Sequence, residues 1–192
     1  MNGDAIQVVS QALQDRLTAA LAAATPPIAG TVFVGPLNDA NAAGAALVVF
    51  LYRIAINPDL RSDEHRLPPA TDGGPPEVRT GGLPLDLYYL LTVGSAEADN
   101  ELEGLRTLGF AMQSLNDSPN LVGVPVEGET VRLSLDAVTS EEMSRVWTLF
   151  PTENYRTSVI YIATPVWIDP AQSQQPATPV IREPHRFKQV AA

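Results

Sequence analysis

The chain has 192 residues, no cysteine and a formal charge of −10, from 12 basic and 22 acidic side chains. This length suits one domain with a sizeable core plus a tail, and the lack of cysteine excludes disulfides and thiolate chemistry. Phosphate backbones and anionic lipids repel an acidic protein, so we expect neither nucleic acid nor a membrane as a partner.

Residues 4–23 are predicted to form an amphipathic helix, because their apolar side chains recur at helical spacing and form one stripe. The prolines at positions 26 and 27 end this helix, since proline cannot continue its hydrogen-bond ladder. A short strand, Thr31–Val34, follows, and residues 38–44 are predicted to be a loop. The predicted stripe consists of Ile6, Val9, Leu13, Leu17, Ala20 and Leu21.

Three apolar runs predict the centre of a sheet. Leu83–Val93 is nearly all apolar and aromatic and is bounded by glycines, which is typical of a strand buried on both faces. Residues 47–56 and Ser158–Ile168 have the same character. Three strands that each need cover on both faces can all be buried only if they form the middle of one sheet. Pro165 cannot donate to a ladder, so its end of the last strand should lie at a sheet edge or a bulge.

Two segments have a different composition. Residues 57–82 are rich in proline, glycine and charge, and loops of this length in compact domains are often functional or disordered. From Asp169 onward the chain is rich in Gln, Pro, Ser and Ala, so we predict a folded domain over residues 1–169 and a flexible tail over residues 170–192. Both segments are expected to become ordered against partners.

A second helix is predicted over residues 95–116. Ser95 is expected to cap it, and Glu97 and Asp99 place negative charge in its first turn. Phe110 falls outside the predicted buried face, which makes it a candidate for a contact between subunits. That face consists of Ala98, Leu102, Leu105, Leu108, Gly109, Met112 and Leu115.

The last elements are two strands and a short helix. Residues 121–126 form a weak strand signal, and residues 131–135 alternate as a strand with one solvated face does. Thr139 and Glu142 have the spacing of a capping box, which opens a helix carrying Met143, Val146 and Trp147. Together the elements predict an α+β fold, in which amphipathic helices pack on a mixed, mostly antiparallel sheet within a single domain.

Few side chains are suited to catalysis. His65 and His185 are the only histidines, and both lie in loop or tail segments where we expect them to be solvated. The local run Asp63-Glu64-His65 lacks a second cluster that would complete a set of metal ligands. Asp86 lies within the apolar strand, where a hydrogen-bonded carboxylate is the expected role. We therefore predict no catalytic residue, no cofactor and no metal, and a protein that is not an enzyme.

The order of several motifs within residues 6–169 resembles one protein family. The most distinctive is Trp147 followed by Tyr-Arg-Thr-Ser-Val at positions 155–159 and by Tyr161. The others are Phe50-Leu51-Tyr52-Arg53, Asn57-Pro58-Asp59-Leu60-Arg61, the strand at positions 83–92, Leu108-Gly109, Met143-Ser144-Arg145-Val146 and Pro165-Val166-Trp167-Ile168-Asp169. This order resembles the tail-terminator or cap proteins of phage-tail-like contractile injection systems.

The resemblance implies a homohexameric ring that ends the inner tube and the contractile sheath at the end away from the baseplate. Its partners would then be other copies of itself and the tube and sheath proteins. Such a ring would assemble in the cytoplasm and become part of the particle. Longer relatives carry an extra C-terminal domain, whereas a short tail stands here.

A ring-forming protein needs anchors between its subunits, and Tyr, Trp and Arg are favoured at such contacts. The candidate interface residues are Arg53, Arg61, Phe110, Arg145 and Arg156. Two alternative functions stay open from the sequence. One is an assembly chaperone or adaptor of the same particle that forms no ring, and the other is a small hydrolase that depends on Asp86 or His65.

Overall fold

The computed structural model describes residues 1–61, 64–67, 77–95 and 100–171, and it confirms the predicted α+β class. Three helices and eight strands occupy this part of the chain. In chain order they are α1 (Ala5–Ala23), β1 (Thr31–Val34), β2 (Ala45–Ile56), β3 (His65–Leu67), β4 (Glu77–Arg79), β5 (Leu83–Val93), α2 (Glu101–Asp117), β6 (Asn120–Val122), β7 (Thr130–Asp136), α3 (Ser140–Trp147) and β8 (Ser158–Ile168).

Six strands form one sheet in the order β1-β2-β5-β8-β7-β6. Strands β1 and β2 are parallel, and every other neighbouring pair is antiparallel. The three apolar runs are adjacent at the centre as β2, β5 and β8, which confirms the prediction made from their composition. Such runs are stable there because both of their faces can be covered.

The two faces of the sheet carry different layers. Helices α1 and α2 cover one face with the main core, which includes Leu13, Leu91 and Leu115. A smaller core on the other face packs Trp147 and Phe150 against the strands. Four of the six residues predicted for the α1 stripe are buried, and Ala5 and Ala12 join them. The four are Val9, Leu13, Leu17 and Leu21.

Helix α2 differs from its prediction at its start and on its buried face. Asn100 caps it by accepting from the Glu103 amide, whereas the Ser95 hydroxyl accepts from the Gly44 amide at 2.9 Å. Residues 96–99 lie outside the described part. Leu102, Leu105 and Gly109 are exposed instead of buried. The contact face consists instead of Gly104, Thr107, Leu108, Ala111 and Leu115, mostly small side chains that let the helix approach its neighbours closely.

A bulge confirms the expectation for Pro165. Strand β8 has two residues, Thr164 and Pro165, opposite Asp86 of β5, because the register runs from Leu85–Val166 to Leu87–Ala163. The Asp86 carboxylate accepts a hydrogen bond from Asn57 Nδ2 at 2.9 Å and another from Thr164 Oγ1. Asp86 therefore has the predicted role of a hydrogen-bonded carboxylate.

The segment at residues 57–82 contains structure that its composition does not predict. His65–Leu67 and Glu77–Arg79 pair as a two-stranded antiparallel ribbon, with His65 opposite Arg79. The two strands are held by side-chain contacts to distant residues, described below. Residues 62–63 and 68–76 of this segment, and the tail from residue 172 onward, lie outside the described part.

Candidate functional site

A buried polar cluster joins the β3–β4 ribbon to the main sheet. The imidazole of His65 lies between two carboxylates, with Nδ1 2.9 Å from Asp169 Oδ1 and Nε2 2.8 Å from Glu129 Oε2. Its ring stacks on Trp167 with 4.6 Å between the ring centroids. Arg79 also donates to Asp169. We refer to His65, Arg79, Glu129 and Asp169 as the clasp.

Each clasp residue comes from a different local structure. His65 lies on β3 and Arg79 is opposite it on β4. Glu129 stands just before β7, where its amide donates to the Val126 carbonyl of a 3₁₀ turn. Asp169 directly follows β8. The clasp therefore fixes the ribbon against one end of the sheet.

The charged groups of the clasp stabilise one another through hydrogen bonds between acids and bases. The Met1 amine donates to Glu129 Oε1 at 3.0 Å and to Asp169 Oδ2 at 2.8 Å. Burial disfavours the protonated imidazole, but the hydrogen bonds to Glu129 and Asp169 outweigh it and raise the pKa of His65. Burial alone would raise the pKa of the Glu129 and Asp169 carboxyls. Their hydrogen bonds to His65 and to the Met1 amine outweigh burial and keep both pKa values below the usual ones. The clasp is therefore a set of groups in which each buried acid hydrogen-bonds to the His65 ring and to the Met1 amine.

Histidine and two carboxylates are also metal ligands, and their ligand atoms lie within 4.8 Å of one another. The contacts are nevertheless those of hydrogen bonds. The two carboxylates meet opposite nitrogens of one ring, so one ion cannot take the place of both contacts. The remaining carboxylate oxygens already accept from the Met1 amine and Arg79. This arrangement stabilises a fold better than it chelates an ion.

The prediction that His65 is solvated is wrong, because only 3% of the residue is exposed. Its hydrogen-bond partners, Glu129 and Asp169, are 64 and 104 residues away, and no local pattern around His65 predicts them. Sequence patterns do not single out Glu129, and they include Asp169 only as the end of a motif. His185 lies outside the described residues. Both ring nitrogens of His65 are engaged by carboxylates in the interior.

A second surface has the composition of an interface. On the sheet face that carries α3, the exposed guanidinium of Arg53 lies 4.7 Å from the centroid of the Tyr88 ring. Tyr52 packs edge-on against Tyr88, with 6.2 Å between the centroids. Arg53 follows a bulge in β2. We call Tyr52, Arg53 and Tyr88 the Tyr/Arg surface, and such residues are enriched where proteins meet.

The other candidate interface residues lie apart from one another. Arg145 is exposed on α3 and pairs with Glu141 at 2.6 Å, and Arg61 is exposed after β2. Phe110 is half-buried against the main core, under the guanidinium of Arg106. Arg156 is half-buried, pairs with Glu153 at 2.9 Å and donates to the Val93 carbonyl at 3.3 Å. Phe110 and Arg156 thus have internal contacts, and the interface role of all five stays a prediction.

Within the described ranges, no helix combines the length and the apolar character that crossing a membrane requires.

Residues 8–182 match the family described as the Pvc16 N-terminal domain. No match is found among curated proteins.

Two solved structures share the fold. One is the sheath/tube terminator of an extracellular contractile injection system, PVC, in the extended state, with 21% identity and a TM-score of 0.61. That alignment covers 100% of this chain and 66% of the terminator. The other is the tube-terminating cap of the anti-feeding prophage, with 20% identity, a TM-score of 0.59, and coverage of 93% of this chain and 60% of the cap. The chain therefore spans less than two thirds of each of these proteins.

Proposed function

The chain belongs to the Pvc16 N-terminal domain family, and we propose that it is a structural cap, or tail terminator, of a phage-tail-like contractile injection system. The observation that carries this proposal is the family match over residues 8–182. The fold shared with a sheath/tube terminator and a tube-terminating cap supports it.

In this proposal the protein acts by binding and carries out no chemical reaction. Subunits that meet through two different patches form a closed ring when the rotation between them closes, and we propose six subunits. One face of the ring binds the last rings of tube and sheath. The opposite face offers no surface for another ring, so elongation stops. Assembly takes place in the cytoplasm, and the ring then stays in the particle.

The Tyr/Arg surface is the proposed anchor between subunits. Arg53 is exposed and already oriented by the Tyr88 ring, so it loses little conformational freedom when it binds. Arg145 lies on α3, and Arg53 and α3 are close enough for the charge of Arg53 to act on Glu142. An interface here would thus bring together an aromatic centre and charged residues around it.

The proposal is tested by imaging particles from cells that lack this chain. We expect tubes of uncontrolled length, or none, and normal particles when the chain is restored. Native mass spectrometry of the purified chain with tube protein should find a ring. Particles of normal length without the chain would contradict the proposal, and a species that stays monomeric or dimeric with tube present would favour an assembly adaptor instead.

A further inference from the structure

A groove of about 620 Å³ lies between α3 and the sheet, beside the point where β7 ends. Trp147 lines this groove, is 8% exposed, and its indole Nε1 has no hydrogen-bond acceptor among the described residues. Leaving a buried donor without an acceptor costs about 1–3 kcal/mol. One wall of the groove is therefore formed by a residue whose buried donor is unpaired among the described residues.

The groove also contains an open strand edge. Strand β7 pairs with β8 only as far as Asp136 opposite Ile160. Ser158 and Val159 pair with β5 on one side and, in the part of the chain that the structure describes, have no strand on the other. Both residues line the groove. An extended peptide can pair with such an edge through its backbone.

Apolar side chains and one acidic side chain line the groove, and two more acidic residues follow next to it in α3. Leu135 is 54% exposed and Tyr155 is 65% exposed, and both line it. Asp136 lies in the lining, and Glu141 and Glu142 lie in the first turn of α3. These features fit an extended peptide that carries an apolar pair next to basic residues.

We propose that the occupant is the C-terminal segment of this chain, with Val180 and Ile181 in the groove. Residues 172–192 contain three basic side chains and one acidic, whereas the rest of the chain contains nine basic and 21 acidic. Arg182 directly follows the apolar pair. The segment therefore complements the groove both in charge and in apolar character.

The length of the chain allows this contact within one subunit. From Ile168 back to Val159 the strand spans about 30 Å, at about 3.3 Å per residue. The residues from Ile168 to Val180 include Pro176 and Pro179, and in the extended conformation that proline favours they span about 37 Å. The segment can therefore turn back along the sheet and place Val180 at the groove.

A nitroxide label on the segment tests the proposal, because the natural chain has no cysteine and only two tryptophans. Trp167→Phe leaves Trp147 as the single tryptophan, and Ala177→Cys takes the label. We expect the nitroxide to quench most of the Trp147 emission through contact. The same label at Ala19→Cys, on the exposed face of α1, should leave the emission unchanged.

Two further variants link the quenching to the apolar pair. Val180→Ser with Ile181→Ser should abolish it, whereas Val190→Ser should not. A mixing experiment reveals whether the segment comes from a neighbouring copy. In it, labelled chains whose two tryptophans are both replaced by phenylalanine are mixed with unlabelled Trp167→Phe chains. Quenching of the Trp147 emission in this mixture would come from contact between copies. Quenching in neither experiment, or quenching that survives the double serine variant, would overturn the proposal. The test needs no tube or sheath, so its failure leaves the proposed cap function untouched.

Discussion

His65 Nε2 lies 2.8 Å from Glu129 Oε2, although 64 residues separate the two along the chain. Both side chains are buried, and Asp169 engages the other ring nitrogen. This contact makes the attachment of the β3–β4 ribbon to the sheet depend on charge, and so on pH.

We expect the free energy of unfolding to decrease as the pH rises through the pKa of His65. Although burial lowers that pKa, the hydrogen bonds to Glu129 and Asp169 raise it overall from its usual 6.5. A group that binds its proton more tightly in the folded state stabilises fully below its unfolded pKa and loses this contribution above the folded one. The contribution of His65 is thus complete below pH 6.5 and is lost at higher pH.

The carboxyls of Glu129 and Asp169 determine how far the stabilisation by the clasp extends to acid pH. Their pKa values are lowered from 4.5 for Glu129 and 3.8 for Asp169, so their stabilisation is present above those values and is lost as the pH falls. The clasp should therefore contribute most between about pH 4.5 and 6.5. Urea unfolding of His65→Gln across pH should lack the loss that begins above pH 6.5. A loss above pH 8.0 should remain, because the pKa of the Met1 amine, which burial lowers, is raised overall from that value by hydrogen bonds to Asp169 and Glu129. His185→Gln, at the only other histidine, is the control and should follow the unmodified protein.

Glu129→Gln should destabilise the protein by about 3 kcal/mol, because it leaves the buried cations without one of their counter-charges. The amide is nearly isosteric, so the loss reports charge rather than shape. The measurement is the midpoint of urea unfolding at unchanged slope. Glu127→Gln, at an exposed position two residues earlier, should change the midpoint little. Equal effects of the two substitutions would refute the stabilising role of the clasp.

Two glycine substitutions should act in opposite directions. A Cβ on Gly94 would lie 1.9 Å from the Ala45 carbonyl oxygen, and the backbone of β2 cannot yield easily. Gly94→Ala should therefore cost about 3 kcal/mol or more, as overpacking of a rigid site does. Gly109 is exposed within α2 and a Cβ there meets nothing within 4 Å. Gly109→Ala should stabilise by about 0.5–1 kcal/mol, because alanine favours the helix.

Thermal unfolding of the two alanine variants checks this pair. A neutral Gly94→Ala would mean that the backbone of β2 can move away from Gly94 at little cost. A destabilising Gly109→Ala would mean that this position of α2 is packed, as its sequence pattern suggested.

Arg53→Ala should weaken ring formation while leaving the fold intact. An anchor of this kind contributes about 2 kcal/mol or more, which corresponds to a loss of about 30-fold in association. Native mass spectrometry over a range of concentrations measures the change. Arg132→Ala is the matched control, since Arg132 is also an exposed arginine on a strand of the same sheet and lies outside the segments expected to contact partners. Rings that form equally well in both variants would remove Arg53 from the interface.

The features that the sequence determined by itself are those encoded by neighbouring residues. The apolar runs of β2, β5 and β8 predict the centre of the sheet because they need cover on both faces. Thr139 and Glu142 form the capping box that their spacing predicts. The bulge at Pro165 follows from its missing amide hydrogen. In each case the physical cause acts within a few residues.

Tertiary structure decided the features whose partners are distant in the chain. The sequence favours Ser95 as the cap of α2, but its hydroxyl bonds to Gly44, which is 51 residues away, and Asn100 caps the helix. His65 is in a polar segment, yet carboxylates 64 and 104 residues away make it an interior residue. The groove beside Trp147 likewise depends on where the pairing of β7 with β8 ends, because residues of both strands line it. Hydrogen bonds and burial at these sites are set by folding, because the groups that satisfy them come together only when the sheet has formed.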